Sequence, residues 1–99
     1  MIALGLGSNR GNRLYHLRRA LRELRSVAKI KKVSHIYHSR PLLPPDAPVE
    51  WNLSFLNAVV LCETKLSLPN LLAELKKIEI KMGRETHPER WAPRLIDID

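Results

Sequence analysis

Cysteine is nearly absent from this sequence, and its scarcity excludes two classes of structure. Cys62 is the single cysteine among 99 residues, so no disulfide can form within the chain. The chain also has no C-x-x-C pair, the usual sign of a structural zinc site. Its opening residues, MIALGLGSNRG, have no basic segment, and their apolar run breaks at Gly5, too early for a signal peptide or a membrane span. We therefore expect no membrane association and a reducing, cytoplasmic setting.

Acidic residues are also few. The chain has 10 of them against 17 lysines and arginines, which gives a formal net charge of +7. This excess predicts an anionic partner, which could be nucleic acid, a phosphorylated small molecule or an acidic surface, and charge alone does not choose among them. The length suits one small domain. Apolar residues make up 44% and charged residues 27%, which is ordinary for a globular protein.

Hydrophobic spacing predicts two helices. In the first, apolar residues recur every three or four positions over about four turns, at Leu14, Leu17, Leu21, Leu24 and Ala28. The second has Ser67 as a candidate cap, Pro69 in its first turn and Gly83 as its stop. Its inner face is predicted to carry Leu72, Leu75, Ile78 or Glu79, and Met82.

Four segments have the composition of strands: residues 2–6, 29–38, 55–64 and 94–99. The alternation slips between Ile30 and Val33, which indicates a bulge. Two long loops are predicted at 39–54, which carries four of the seven prolines, and at 83–93. The resulting order, βαββαβ, is that of the ferredoxin-like fold. We expect an α+β domain with a mostly antiparallel sheet, two helices on one face, and the other face open to the loops.

The last predicted strand carries the most chemically distinctive residues. Residues two apart in a strand point to the same side, so Asp97 and Asp99 should share the open face with Leu95, about 7 Å apart at ~3.3 Å per residue. The isoleucines between them should face the helices. Such carboxylates can hold two Mg²⁺ ions in a phosphoryl-transfer site. Without its neighbours, a D-x-D pair is more often a solvated pair of aspartates at a fraying end.

Arginines around this strand favour the phosphate interpretation. Arg84, Arg90 and Arg94 precede the aspartates, and guanidinium groups bind phosphate oxygens in a bidentate manner. No G-x-x-x-x-G-K-[ST] motif is present, and GLGSNRG misses G-x-G-x-x-G by one residue. We interpret GLGSNRG as a structural turn, so a bound triphosphate would depend on metal and arginine.

Several of these stretches resemble one family. GLGSNRG, FLNAVV, IEIKMGR and above all RWAPRLIDID are similar to 6-hydroxymethyl-7,8-dihydropterin pyrophosphokinases (HPPK), and the resemblance runs along all 99 residues. It implies transfer of pyrophosphate from ATP to the hydroxymethyl group of a reduced pterin, with release of AMP, assisted by two Mg²⁺ ions. It also implies fusion to or association with dihydropteroate synthase in some members, and no nucleic-acid partner.

The resemblance also implies roles for individual residues. The metal ligands would be Asp97 and Asp99, and the catalytic arginines would be Arg84 and Arg94. The ATP-binding residues would be Glu79, Arg84, Trp91 and Arg94. The pterin-binding residues would be Ser39, Leu42, Phe55, Asn57 and Trp91. Their chemistry alone favours core positions for Trp91 and Phe55, and Glu79 could simply pair with Lys76 or Arg84. An asparagine inside a strand must find hydrogen bonds if it is buried, and a ligand edge would satisfy Asn57.

The sequence departs from the family at two positions and leaves one alternative open. Thr86 and Lys76 replace an arginine and a glutamine found in some members. Family members continue beyond the D-x-D strand, so we expect a truncated domain with little activity by itself. The alternative function is a basic ferredoxin-like module that binds nucleic acid. It would explain the charge and the fold, but the chain lacks the aromatic ribonucleoprotein signature.

Overall fold

The structure is a computed structural model that describes residues 1–83 and 93–99. The elements follow the predicted order, except that one predicted strand is divided in two. The strands are β1 (Ile2–Ser8), β2 (Lys29–Val33), β3 (Tyr37–Ser39), β4 (Phe55–Glu63) and β5 (Asp97–Ile98). The helices are α1 (Arg13–Leu24) and α2 (Leu68–Lys81), and a short 3₁₀ turn, Val49–Trp51, lies in the first long loop.

All strands in the described residues belong to one antiparallel sheet, in the order β2-β4-β1-β5, with β3 also paired to β4. β1 and β4 form its centre, paired without interruption from Ile2 opposite Cys62 to Ser8 opposite Leu56. The two helices pack on one face, where α1 contacts β1 and β4, and α2 contacts α1 and β5. The α+β, ferredoxin-like arrangement predicted from periodicity is therefore confirmed.

One predicted strand, 29–38, is in fact two short strands. The bulge expected after Ile30 is present, as a register shift between Ile30 and Lys32. The strand then breaks after Val33, where the Ser34 hydroxyl accepts a hydrogen bond from the Val59 amide at 2.8 Å. This side chain takes the place of a backbone acceptor, so the ladder resumes only at β3. Propensity did not reveal the break, because every flanking residue suits a strand.

Helix α1 is shorter than predicted. It begins behind Asn12, whose Oδ1 accepts from the Tyr15 amide at 3.1 Å, and it ends at Leu24. Ala28 therefore lies outside the helix, although it still packs against the core. Beyond Leu24 the Ser26 hydroxyl donates to the Glu23 carbonyl at 2.8 Å, which satisfies one of the acceptors left at a helix end.

Helix α2 has the predicted ends but a slightly different inner face. Ser67 caps it, and Gly83 follows with φ of 104°, a conformation suited to glycine. The buried side includes Leu71, whereas Leu72, predicted to face the core, is 51% exposed. The two leucines differ by about 100° around the helix axis, and only the position of the sheet selects Leu71.

The core lies between the helices and the sheet. Leu4 and Leu6 of β1 point into it, and both isoleucines of the last segment, Ile96 and Ile98, are buried there as predicted. Cys62 is fully buried, and loss of solvent raises the pKa of its thiol. Across residues 1–83 and 93–99, no helix is long and apolar enough to cross a membrane.

Candidate active site

The open face of the sheet is built around two glycines. Gly5 and Gly7 alternate with Leu4 and Leu6 in β1, so the side that faces away from the helices carries no side chain there. Gly7 lies opposite Asp97 of β5 on one side and opposite Asn57 of β4 on the other. At about 5 Å per strand pair, the α-carbons of Asp97 and Asn57 are about 10 Å apart, and the strand position between them carries no side chain of its own.

Side chains of β4 occupy the space above Gly7. A Cβ built on Gly7 would lie 3.2 Å from Asn57 Oδ1 and 3.3 Å from Phe55 Cδ1. The same construction on Gly5 meets only the Asp99 carbonyl, at 4.0 Å. Gly7 therefore allows the Phe55 ring and the Asn57 amide to approach the β1 backbone, whereas Gly5 leaves open space.

The acidic end of the site is held by backbone pairing and by α2. Gly5 and Asp99 exchange two backbone hydrogen bonds, of 2.7 and 2.9 Å. The Ile98 amide donates to Glu79 Oε2 at 3.1 Å, and Glu79 is only 4% exposed. These bonds fix β5 from both sides and leave Asp97 and Asp99 on the face that carries the glycines.

The opposite end of the site is tied to the first long loop. Asn57 Nδ2 donates to Ser39 Oγ at 2.8 Å and to the Tyr37 carbonyl at 3.3 Å. The side-chain nitrogen of Asn57 thus already has acceptors within the protein. The sequence had suggested a ligand as the partner of this amide, and β3 supplies part of that hydrogen bonding. Its Oδ1 points towards Gly7.

These elements enclose a cavity of about 550 Å³. Its lining contains the predicted residues Ser39, Leu42, Phe55, Asn57, Arg94, Asp97 and Asp99. One wall carries two carboxylates and a guanidinium group, and the other carries an aromatic ring, an amide and a hydroxyl. The volume is within the range of small-molecule sites, about 300–1,000 Å³. The predicted metal and pterin positions thus share one cavity.

The other predicted residues either lie away from this lining or fall outside the described residues. Glu79 does not line the cavity but acts on β5 from the helix side, so its role toward ATP stays a prediction. Leu95, expected to share the face of the aspartates, precedes β5 and approaches Gly11 and Gly83 instead. Arg84 and Trp91 lie outside the described residues, as do Arg90 and Thr86.

Several cavity residues were missed at the sequence level: Gly5, Leu6, Gly7, Tyr37, Arg40 and Pro41. A signal for the glycines was present, because residues two apart in a strand share a face and G-x-G therefore leaves one face bare. Arg40 adds a second cation beside Arg94, and its position in a proline-rich loop gave no indication of its direction.

The donor set suits a hard divalent cation that also binds a ligand. Within the part of the chain that the structure describes, no cluster of three or more His, Cys, Asp or Glu side chains could hold a metal by itself. Two aspartates on one cavity wall would supply only part of a coordination shell. Mg²⁺ commonly binds one or two carboxylates and completes its octahedron with water and phosphate oxygens. The residues present fit Mg²⁺ bound together with a phosphate chain.

The fold and the cavity together define a ferredoxin-like α+β domain in which paired carboxylates and cations face an aromatic and amide wall. The chain belongs to the family described as 7,8-dihydro-6-hydroxymethylpterin-pyrophosphokinase, whose sequence model matches residues 3–99. The match leaves the nucleic-acid-binding alternative without support.

Curated relatives agree with this assignment. A folate synthesis bifunctional protein of Chlamydia trachomatis is 43% identical over 99 residues, which cover 99% of this chain and 22% of that protein. One from Arabidopsis thaliana is 38% identical, over 19% of its length. A 2-amino-4-hydroxy-6-hydroxymethyldihydropteridine pyrophosphokinase of Aquifex aeolicus is 35% identical, over 58% of its length. The chain thus spans about a fifth of the bifunctional relatives and just over half of the Aquifex enzyme.

Proposed function

We propose that the protein transfers pyrophosphate from ATP to 6-hydroxymethyl-7,8-dihydropterin, which gives AMP and the pterin diphosphate in folate biosynthesis. The observation that carries the proposal is the row across the open face, in which Gly7 separates Asp97 from Asn57. A carboxylate and an amide thus lie on opposite sides of a glycine, which supports two neighbouring ligand positions of the kind that transfer between two ligands requires.

The nucleotide would bind at the wall formed by β5. Asp97 and Asp99 would hold two Mg²⁺ ions, which neutralise charge on the phosphate chain when bound. Arg94 and Arg40 line the same cavity and can bind phosphate oxygens as bidentate donors. The net charge of +7 would attract the anionic nucleotide from solution.

The pterin would bind at the wall formed by β4 and the first long loop. Phe55 offers a ring against which a flat heterocycle can stack. Asn57 offers an amide whose nitrogen is oriented by Ser39 and Tyr37, so its position is set before the ligand arrives. Leu42, 72% exposed, lies at the mouth of the cavity and would cover the ring.

Transfer in such a site depends on alignment and electrostatics, so the chain need not supply a covalent nucleophile. Arg94 would stabilise charge that develops on the transferred group. The roles of Arg84, Trp91 and Glu79 toward ATP, and of Trp91 toward the pterin, belong to this proposal on the strength of the family motif. We also propose that the enzyme is cytoplasmic. We further propose that it is fused to or associated with a second folate-synthesis enzyme, such as dihydropteroate synthase, and the names of the bifunctional relatives support this link.

The test separates the two walls. In Asp97→Asn/Asp99→Asn, Mg²⁺-dependent binding of a non-hydrolysable ATP analogue should be lost, while pterin affinity stays within about twofold. In Asn57→Ala, the binding free energy of the pterin should weaken by about 1–3 kcal/mol, while affinity for the ATP analogue is kept. Calorimetry measures both affinities, and release of AMP measures turnover.

Glu63→Gln is the matched control, since Glu63 is an exposed carboxylate at the far end of β4. It should change neither affinity. If the aspartate variant binds the analogue with unchanged affinity and Mg²⁺ dependence, the proposed nucleotide wall is wrong. Binding of single-stranded RNA with a steep salt dependence, and none of ATP, would instead favour the nucleic-acid module.

A further inference from the structure

A buried asparagine outside the cavity lining connects the two walls. Asn9 directly follows β1 and is 3% exposed. Its Oδ1 accepts from the Arg94 amide at 2.7 Å, and its Nδ2 donates to the Leu53 carbonyl at 3.2 Å. Its backbone amide also donates to the Arg94 carbonyl at 3.1 Å. One residue thus makes three hydrogen bonds to two segments that are 41 positions apart in sequence, from 53 to 94.

The two segments lead directly into the two walls. Arg94 lines the cavity and precedes Asp97 by three residues, and both its backbone groups are bound by Asn9. Leu53 precedes Phe55 by two residues, at the end of the long loop that supplies Leu42. The side chain of Asn9 therefore fixes the distance between the start of the pterin wall and the start of the phosphate wall.

A neighbouring residue strengthens the same connection. Arg13 Nη1 donates to the Ser54 carbonyl at 3.0 Å and to Ser54 Oγ at 3.1 Å. The loop end at 53–54 is therefore held both from the interior, by Asn9, and from the first turn of α1, by Arg13. This contact does not reach Arg94. Among the side-chain hydrogen bonds described for residues 1–83 and 93–99, those that join the loop end to Arg94 are made by Asn9.

We propose that Asn9 is a positioning residue, which sets Arg94 and the Leu53–Phe55 segment at the separation that pyrophosphoryl transfer requires. The inference rests on the proposed function, because it assigns a purpose to that separation. Asn9 touches neither substrate. It acts through the backbone that carries Arg94 and through the loop end that carries Phe55.

Kinetics distinguish positioning from a simple contribution to folding. In Asn9→Ala both side-chain bonds are lost, and kcat with both substrates saturating should fall about 10- to 100-fold, since misplacement of about 1 Å can cost a factor of this size. Asn12→Ala is the matched control. Asn12 caps α1 three residues away and is exposed, and its loss should lower the temperature of thermal unfolding while kcat stays within about twofold.

A second variant separates the two side-chain hydrogen bonds of Asn9, the one to Arg94 and the one to Leu53. Asn9→Asp keeps an acceptor for the Arg94 amide but faces the Leu53 carbonyl with an oxygen. When the introduced carboxyl is protonated it can donate to that carbonyl and restore the second bond. Its kcat, relative to the unsubstituted protein at each pH, should therefore rise as pH falls, by up to about tenfold per pH unit above the pKa of the introduced group.

Amide hydrogen exchange gives a readout that does not depend on turnover. In Asn9→Ala, exchange should accelerate at residues 53–57 and 94–99 while the helices stay protected, whereas Asn12→Ala should affect the start of α1. Equal kcat losses in Asn9→Ala and Asn12→Ala, or unchanged exchange at 94–99, would overturn the proposal. Because the chain by itself is expected to have little activity, kcat is measured in the full-length protein. If that unsubstituted protein shows no transfer, the proposed function fails, and the exchange pattern still decides whether Asn9 positions the two segments.

Discussion

The two faces of the sheet are made by the same strands and follow different physical rules. On the helix side, β1 and the segment 96–99 that contains β5 contribute the buried residues Leu4, Leu6, Ile96 and Ile98. On the other side, alternate positions of the same strands contribute Gly5, Gly7, Asp97 and Asp99, which line a cavity. One face is filled to exclude water, and the other is kept bare or polar.

The contrast shows what specifies each face. Burial of aliphatic side chains selects the helix side, because a shift of one residue would expose every one of them. The residues of the open face then follow from this choice, because side chains alternate along each strand and the strands pair in a fixed register. The polar groups meet because register brings Asp97, Gly7 and Asn57 into one row, not because they attract one another.

The largest loss of stability should come from a substitution on the helix side of the sheet. Ile96 is fully buried, and Ile96→Ala should lower the free energy of unfolding by about 2–5 kcal/mol, since it loses transfer energy and leaves a cavity. Leu72→Ala is the control, because this leucine is 51% exposed and should cost less than about 1 kcal/mol. Urea denaturation measures both, and similar losses would show that the helix side is not packed as described.

An intermediate loss of stability is expected when the hydrogen bond between α2 and β5 is removed. Glu79→Ala removes the acceptor of the buried Ile98 amide, and an orphaned buried donor costs about 1–3 kcal/mol. Glu79→Gln keeps a side-chain oxygen and should recover much of this loss. Thermal unfolding compares the two variants. If both keep their stability while affinity for an ATP analogue falls, Glu79 binds nucleotide directly and does not act through β5.

The smallest effect on stability should come from the bare face. Gly7→Ala places a methyl group 3.2–3.3 Å from Asn57 and Phe55, which must shift by a few tenths of an ångström. Stability should change by less than about 1 kcal/mol, whereas pterin affinity should fall several-fold. Gly5→Ala meets open space and should affect pterin affinity less. Equal affinity losses in the two variants would argue against contact between Phe55, Asn57 and the ring.

Local signals predicted the elements well where caps and periodicity agreed. Ser67, Pro69 and Gly83 mark the ends of α2 in sequence and in structure. Periodicity was less able to choose between Leu71 and Leu72, because both fit a helical stripe and only contact with the sheet distinguishes them. A serine hydroxyl makes a hydrogen bond at the end of α1 and another at the break after Val33, and the sequence does not reveal the partners of these hydroxyls.

The candidate site divides in the same way. The sequence by itself determined that Asp97 and Asp99 share a face, that Ile96 and Ile98 oppose them, and that arginines stand nearby, because alternation in a strand is a local property. Only the tertiary structure decided that Gly7 lies between Asp97 and Asn57, that Arg40 joins the cavity, and that Asn9 binds both Leu53 and Arg94. These depend on register between strands distant in sequence, which is set when the core closes.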